Sequence, residues 1–257
     1  MIYNAKEYAG LRNSVLSISL ISWMVILVGQ VELRASSCCP AMGSATSLEM
    51  LLASNSATSL AGGWALMLAA MMAPMLVPPI YYIRISSFAR RRPRSIAFFV
   101  AGYGAVWMAA GCIMLALELA SIWLAPQSYL PATVVGLVAL VWQASPFKQR
   151  CLNRCHSRRA LAAYGTAADR DVLRMGLEHG FWCTGSCWAV MLFPMLLPQG
   201  HLVAMAVASI LMFCERLDPP RTPSWRWRGC GTALRYLSLR LRGLRCGRAF
   251  LAPGCEA

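Results

Sequence analysis

Two cysteine pairs are the residues best suited to chemistry in this chain. Cys151 and Cys155 stand in the stretch Cys-Leu-Asn-Arg-Cys-His, and Cys183 and Cys187 in Cys-Thr-Gly-Ser-Cys-Trp. In a helix, the four-residue spacing sets both thiols of a pair on one face. Four thiolates can close a tetrahedral site for Zn(II) or offer soft ligands to Cu(I). His179 and His156 stand beside the pairs as nitrogen ligands. Cysteine is also a small hydrophobe at home in apolar helices, so plain packing is the competing use.

The second pair belongs to a longer stripe. His179, Cys183, Cys187, Met191 and Met195 recur every four residues. Each step turns about 40° around a helix, so the stripe is a slow spiral about 24 Å long. Met67, Met71 and Met75 form a similar run, with Met72 beside it. Imidazole, thiolate and thioether grade toward soft ligation, which suits Cu(I). Met67, Met71 and Met191 are therefore secondary metal or path residues, with gap-filling in an apolar core as the alternative.

The elements that must hold these residues are membrane helices. The chain is 58% hydrophobic and 13% charged, against roughly half and a quarter in a soluble domain. That excludes intrinsic disorder, and 11 Cys in 257 residues is too dilute for a disulfide scaffold. About 20 apolar residues cross a hydrocarbon core of about 30 Å. Residues 13–31, 60–83, 96–124, 130–145, 176–197 and 202–214 are the candidate stretches. They predict an all-α, polytopic transmembrane bundle of about six spans within residues 1–216. Pro74, Pro78 and Pro79 kink or break the second stretch, and a broken helix needs protein or a cavity to satisfy its freed carbonyls. Glu118 belongs either to the bundle interior or to the outer interface.

The net charge of +14 would suggest nucleic acid in a soluble protein. Here the arginines fall on alternate loops: Arg84 to Arg94 in one, Lys148 to Arg174 in another, and none in residues 125–129. That alternation follows the positive-inside rule, predicts both termini in the cytoplasm, and makes the partner a lipid bilayer rather than nucleic acid. It also sets both cysteine pairs near the reducing side, where structural disulfides are rare. Residues 13–31 read as an uncleaved anchor rather than a signal peptide, their apolar run being long for the latter. The tail, 217–257, holds eight Arg against Asp218 and Glu256, spread around any helical wheel. It reads as a basic cytoplasmic tail near anionic lipid.

Enzyme chemistry is the weaker expectation. Ser186 and His201 would have to touch to form an intramembrane serine protease, and several helical turns separate them. A membrane thiol–disulfide oxidoreductase would pass electrons between the two cysteine pairs. A non-catalytic subunit of a larger membrane complex, with an unknown protein partner, would use the cysteines only for packing.

The motif set resembles a bacterial family described as predicted metal-binding integral membrane proteins (domain of unknown function 2182). Trp64-Ala65-Leu66-Met67 and Ala70-Met71-Met72-Ala73-Pro74 are similar to its first signature, and Tyr103 to Trp107 fit its next helix. Gln143, Pro146, Lys148, Cys151, Leu152 and Cys155 resemble its Q-x-x-P-x-K-x-x-C-L-x-x-C stretch. Gly176, His179, Gly180, Cys183, Gly185, Cys187, Trp188 and Met191 resemble its histidine–cysteine helix. Glu215-Arg216 stands where the family usually has Glu-Lys, and Ser186 where it often has another cysteine. The resemblance covers roughly residues 60–216. It implies a bacterial inner-membrane protein that handles Cu(I) or Zn(II). It also implies a further apolar helix in place of the Arg-rich tail, so residues 217–257 read as a diverged or frameshifted end.

Overall fold

The computed structural model describes residues 5–36, 57–125, 128–157, 159–162, 164–229, 231, 234–235 and 238–239. Cys38, Cys39 and the end of the basic tail, 240–257, lie outside the described residues. The described chain is all-α. Helix α1 is Ala5–Ser36, α2 is Ala57–Met72 and α3 is Val77–Ser86, with a 3-10 turn at Ala73–Leu76. Then follow α4 (Arg92–Leu124), α5 (Leu130–Ala144), α6 (Pro146–His156), α7 (Gly165–Met195) and α8 (His201–Arg216).

The prolines act locally. Pro74 opens the 3-10 turn and Pro78 the first turn of α3, positions where a missing N–H leaves no bond unmade. The backbone therefore carries on from α2 to α3 as one candidate span, Leu60–Ser86.

The six-span expectation is corrected. Among the described residues, three helical stretches are long and apolar enough to cross a membrane: Ala5–Gly29, Leu60–Ser86 and Ala89–Leu124. A fourth exists if α5 and α6, bent by 65° at Ser145, count as one span. The reason is length and charge. The 16 residues of α8 reach only about 24 Å, short of a hydrocarbon core. The 31 residues of α7 include Asp169, Arg170, Asp171, Arg174 and Glu178, so only its second half is free of charge. Large apolar side chains stay exposed along α1, among them Ile18, Leu20, Ile21 and Met24, and along α4 and α5. Such surfaces suit hydrocarbon rather than water.

The core is built on α7, which packs along α4. Gly176 permits that crossing: a β-carbon there would run into the Phe99 carbonyl. Small residues that let backbones approach are how apolar helices associate without a hydrophobic driving force. The approach brings Phe99 and Tyr103 of α4 onto His179 of α7, at ring separations of 5.8 and 5.9 Å. Met67, Met71 and Met191 lie buried in the same core, together with Met114, Met205 and Met212.

At the arginine-rich end, Asp169 pairs with Arg91 at 2.6 Å and Arg94 at 2.8 Å, tying α7 to the start of α4. Glu178 pairs with Arg159 and Arg174. Ser145 caps α6 by accepting from the Phe147 N–H at 3.1 Å. The first part of the tail straps the resulting bend. The Arg226 N–H donates to the Ala144 carbonyl, and the Arg228 guanidinium to the Gln143 and Ser145 carbonyls at 2.8 Å. These carbonyls lie at the end of α5, where a helix cannot satisfy its own acceptors. Partial burial lowers the pKa of Arg228 from its ordinary value, and Glu215 and Asp218 draw it back up.

Candidate metal-handling site

Helix α7 carries Cys183 and Cys187 one turn apart, both buried. The Cys187 S–H donates to the Cys183 carbonyl at 3.0 Å. The Ser186 hydroxyl donates to the same carbonyl at 2.7 Å. The Cys183 side chain is also in hydrogen-bond contact with that of Cys187. It meets the Tyr103 hydroxyl of α4 at 3.4 Å and accepts from Arg216 Nη2 of α8 at 3.0 Å. Arg216 also hydrogen-bonds the Cys155 side chain of α6. One guanidinium thus joins a thiol from each of two helices.

Cys151 lies on the other side of the α6–α7 contact. A β-carbon placed on Gly185 would come within 3.1 Å of the Cys151 sulfur, so glycine at that position is what lets Cys151 lie against α7. The sequence-predicted set is therefore partly assembled: Cys155 and Cys183 share Arg216, Cys187 is turned to its own helix, and Cys151 packs on Gly185. Among the described residues, no three His, Cys, Asp or Glu side chains already converge as a metal cage.

Next to Arg216 is a cavity of about 220 Å³. Cys155, His156, His179, Met75 and Met175 line it, together with the proline-bearing turn between α2 and α3. His179 is 8% exposed, and its Nε2 has no hydrogen-bond partner. A buried polar atom without a partner costs free energy, unless something outside the chain satisfies it. His156 differs: its Nδ1 faces the Leu152 carbonyl at 2.8 Å and its Nε2 the Arg216 carbonyl at 3.3 Å. It ties α6 to the end of α8, and neither ring nitrogen is left open.

Beside this site lies a second buried cluster. Lys148 of α6 is 0% exposed and Glu215 of α8 is 3% exposed, and they pair at 2.8 Å. Lys148 also donates to the Gln143 Oε1 atom at 2.5 Å, and the Gln143 amide donates to Glu215. Glu215 and Arg216 are neighbours in sequence, and a helix turns about 100° per residue. One therefore meets Lys148 while the other meets the thiols.

Sequence reading missed Met175 and Arg216. Met175 is four residues before His179 and extends the stripe by one more turn, a signal that was present in the spacing. Arg216 stood at the Glu-Lys position of the family's motif, but its contact had no local signal, because its thiol partner is 33 residues away. The soft donors around the cavity suit a soft monovalent ion better than a hard one.

No curated protein and no solved structure matches the chain. A family match does exist, and it runs past Arg216 into the tail segment that straps the α5–α6 bend. It supports the metal-handling class that the motifs imply and names copper, without establishing the identity with domain of unknown function 2182. Sulfur-, thioether- and imidazole-bearing residues around one cavity agree with that description, and over residues 61–239 the chain belongs to the PpoB2 family of copper chaperones.

Proposed function

We propose that this protein is a multi-pass protein of the bacterial inner membrane that takes up Cu(I) and hands it on, rather than acting as an enzyme. Copper is its cargo. Cys155 and His179 receive the ion from the cavity, with the thioethers of Met75 and Met175 alongside. Cys183 is the buried partner thiol, and Cys187 and Cys151 are the reserve sulfurs behind it. The single observation that carries this reading is one cavity lined by Cys155, His179, Met75 and Met175, in which the histidine also carries a buried ring nitrogen without a hydrogen-bond partner.

Tyr8, Arg12 and Leu217 also line the cavity, at the end of the bundle where α1 begins and α8 ends. By the positive-inside rule that end faces the cytoplasm. Copper would then be exchanged with cytoplasmic carriers. Cu(I) ranks before Zn(II) because thiolate and thioether ligands select it.

The test is metal analysis of the purified full chain in detergent. Wild-type protein should retain Cu(I) against a competing chromophoric chelator. Replacing Cys155 and Cys183 together by Ser should weaken retention by more than about 100-fold. Equal copper content in both proteins would sink the reading.

A further inference from the structure

The cation already resident at the two thiols has a consequence for which metal they accept. Arg216 touches the Cys183 sulfur at 3.0 Å and hydrogen-bonds Cys155. Among the described residues, Arg216 forms no ion pair with a carboxylate: Asp169, Glu178 and Glu215 pair with other cations. A guanidinium cannot give up its proton in a protein, so the charge is permanent. The neighbouring charges, Lys148 and Glu215, cancel each other. Cys187 donates its S–H to a backbone carbonyl and adds no charge.

We propose that Arg216 is the fixed counter-ion that makes this site select a soft monovalent cation over a divalent one. This rests on the copper reading of Cys155 and Cys183. Two thiolates bound to Cu(I) carry one net negative charge, which Arg216 neutralises. Two thiolates bound to Zn(II) carry none, and Arg216 is left as a half-buried cation without a counter-charge, which is unfavourable. Arg216 lines the cavity, so its long side chain has room to turn aside while the metal enters and to remain close enough to pair with the loaded site. The class of cargo follows from charge: Cu(I) or its redox-inert analogue Ag(I), and not Zn(II) or Cd(II).

The experiment compares wild type, Arg216→Gln and Arg216→Lys as full-length protein in detergent. Cu(I) and Zn(II) affinities are read by competition with chromophoric chelators. Arg216→Gln should lower the Cu(I)-to-Zn(II) affinity ratio by on the order of 100-fold, as removal of a unit charge a few ångströms away implies. Arg216→Lys keeps the charge and should stay within about 10-fold of wild type. An unchanged ratio in Arg216→Gln overturns the proposal, and so does tighter Cu(I) binding there, which would make Arg216 an obstacle. If the double Cys→Ser variant binds copper as wild type does, the site reading itself has failed, a distinguishable result. A second measurement needs no arginine variant. In wild type, Ag(I) should protect Cys155 and Cys183 from alkylation, followed by mass spectrometry, and Cd(II) at the same free concentration should not. Equal protection overturns the counter-ion role even if Arg216→Gln does not fold.

Discussion

A buried lysine and a half-buried arginine meet neighbouring positions of α8, and they are satisfied in opposite ways. Lys148 meets Glu215 and Gln143, hard oxygen acceptors that close around it. Arg216 meets the sulfurs of Cys183 and Cys155, and next to it are a cavity and an imidazole nitrogen with no partner. The first cluster is complete without any ligand, and its work is to hold α6 and α8 at the bend below α5. The second leaves a cavity and an unpartnered ring nitrogen beside it. The comparison teaches that burial of charge alone does not mark a functional site. What marks it is a charge paired with polarizable, exchangeable donors beside space for a ligand.

Breaking the first cluster should have the largest effect on stability. Lys148→Met leaves Glu215 buried without its counter-ion and should cost about 3–5 kcal/mol. Thermal or denaturant unfolding in detergent, followed by circular dichroism, measures this. Replacing Lys148 and Glu215 together by Met should recover much of the loss, and no recovery would mean that the pair does more than neutralise itself. Cys183→Ser addresses the second cluster. It should reduce Cu(I) affinity by more than about 100-fold while moving the unfolding midpoint little. A large stability loss with unchanged copper binding would reverse the roles assigned to the two clusters.

Smaller effects sharpen the comparison. Gly176→Ala should cost about 1–3 kcal/mol, because its β-carbon pushes α4 off α7 and with it Tyr103 off Cys183. Copper affinity should fall in the same variant, which chelator competition would detect. Met191→Leu is the mildest. It should change stability by less than about 1.5 kcal/mol and leave copper binding as it was, since Met191 packs in the core away from the cavity lining. A copper defect in Met191→Leu would instead extend the metal path along the whole stripe of α7.

Much of the donor chemistry was legible in the chain. The i, i+4 cysteines, His179 and the methionine runs are local patterns on helices, and helical periodicity is fixed by neighbouring residues alone. So was the metal-handling class, through the motifs around Met67, Cys151 and Cys183, although they left Cu(I) and Zn(II) both open and the family match names copper. The span count was not. Apolar stretches suggested six, but a stretch is a span only if its helix is long enough. Ser145 bends one after Ala144, α8 stops at 16 residues, and the first half of α7 is charged. The basic tail also changed meaning, since Arg226 and Arg228 satisfy the carbonyls at the end of α5.

The sequence by itself determined that this is an apolar helical protein carrying soft metal donors at helical spacing, because composition and periodicity are properties of the chain. Tertiary structure alone decided which of those donors share a space. Cys155 and Cys183 share Arg216, Cys151 is set against Gly185, His156 is taken up by backbone carbonyls, and His179 lines a cavity with one ring nitrogen unpartnered. The physical reason is range. A helix forms from contacts a few residues apart, whereas the partner of Arg216 is chosen by how α6, α7 and α8 pack, and no local pattern encodes that choice.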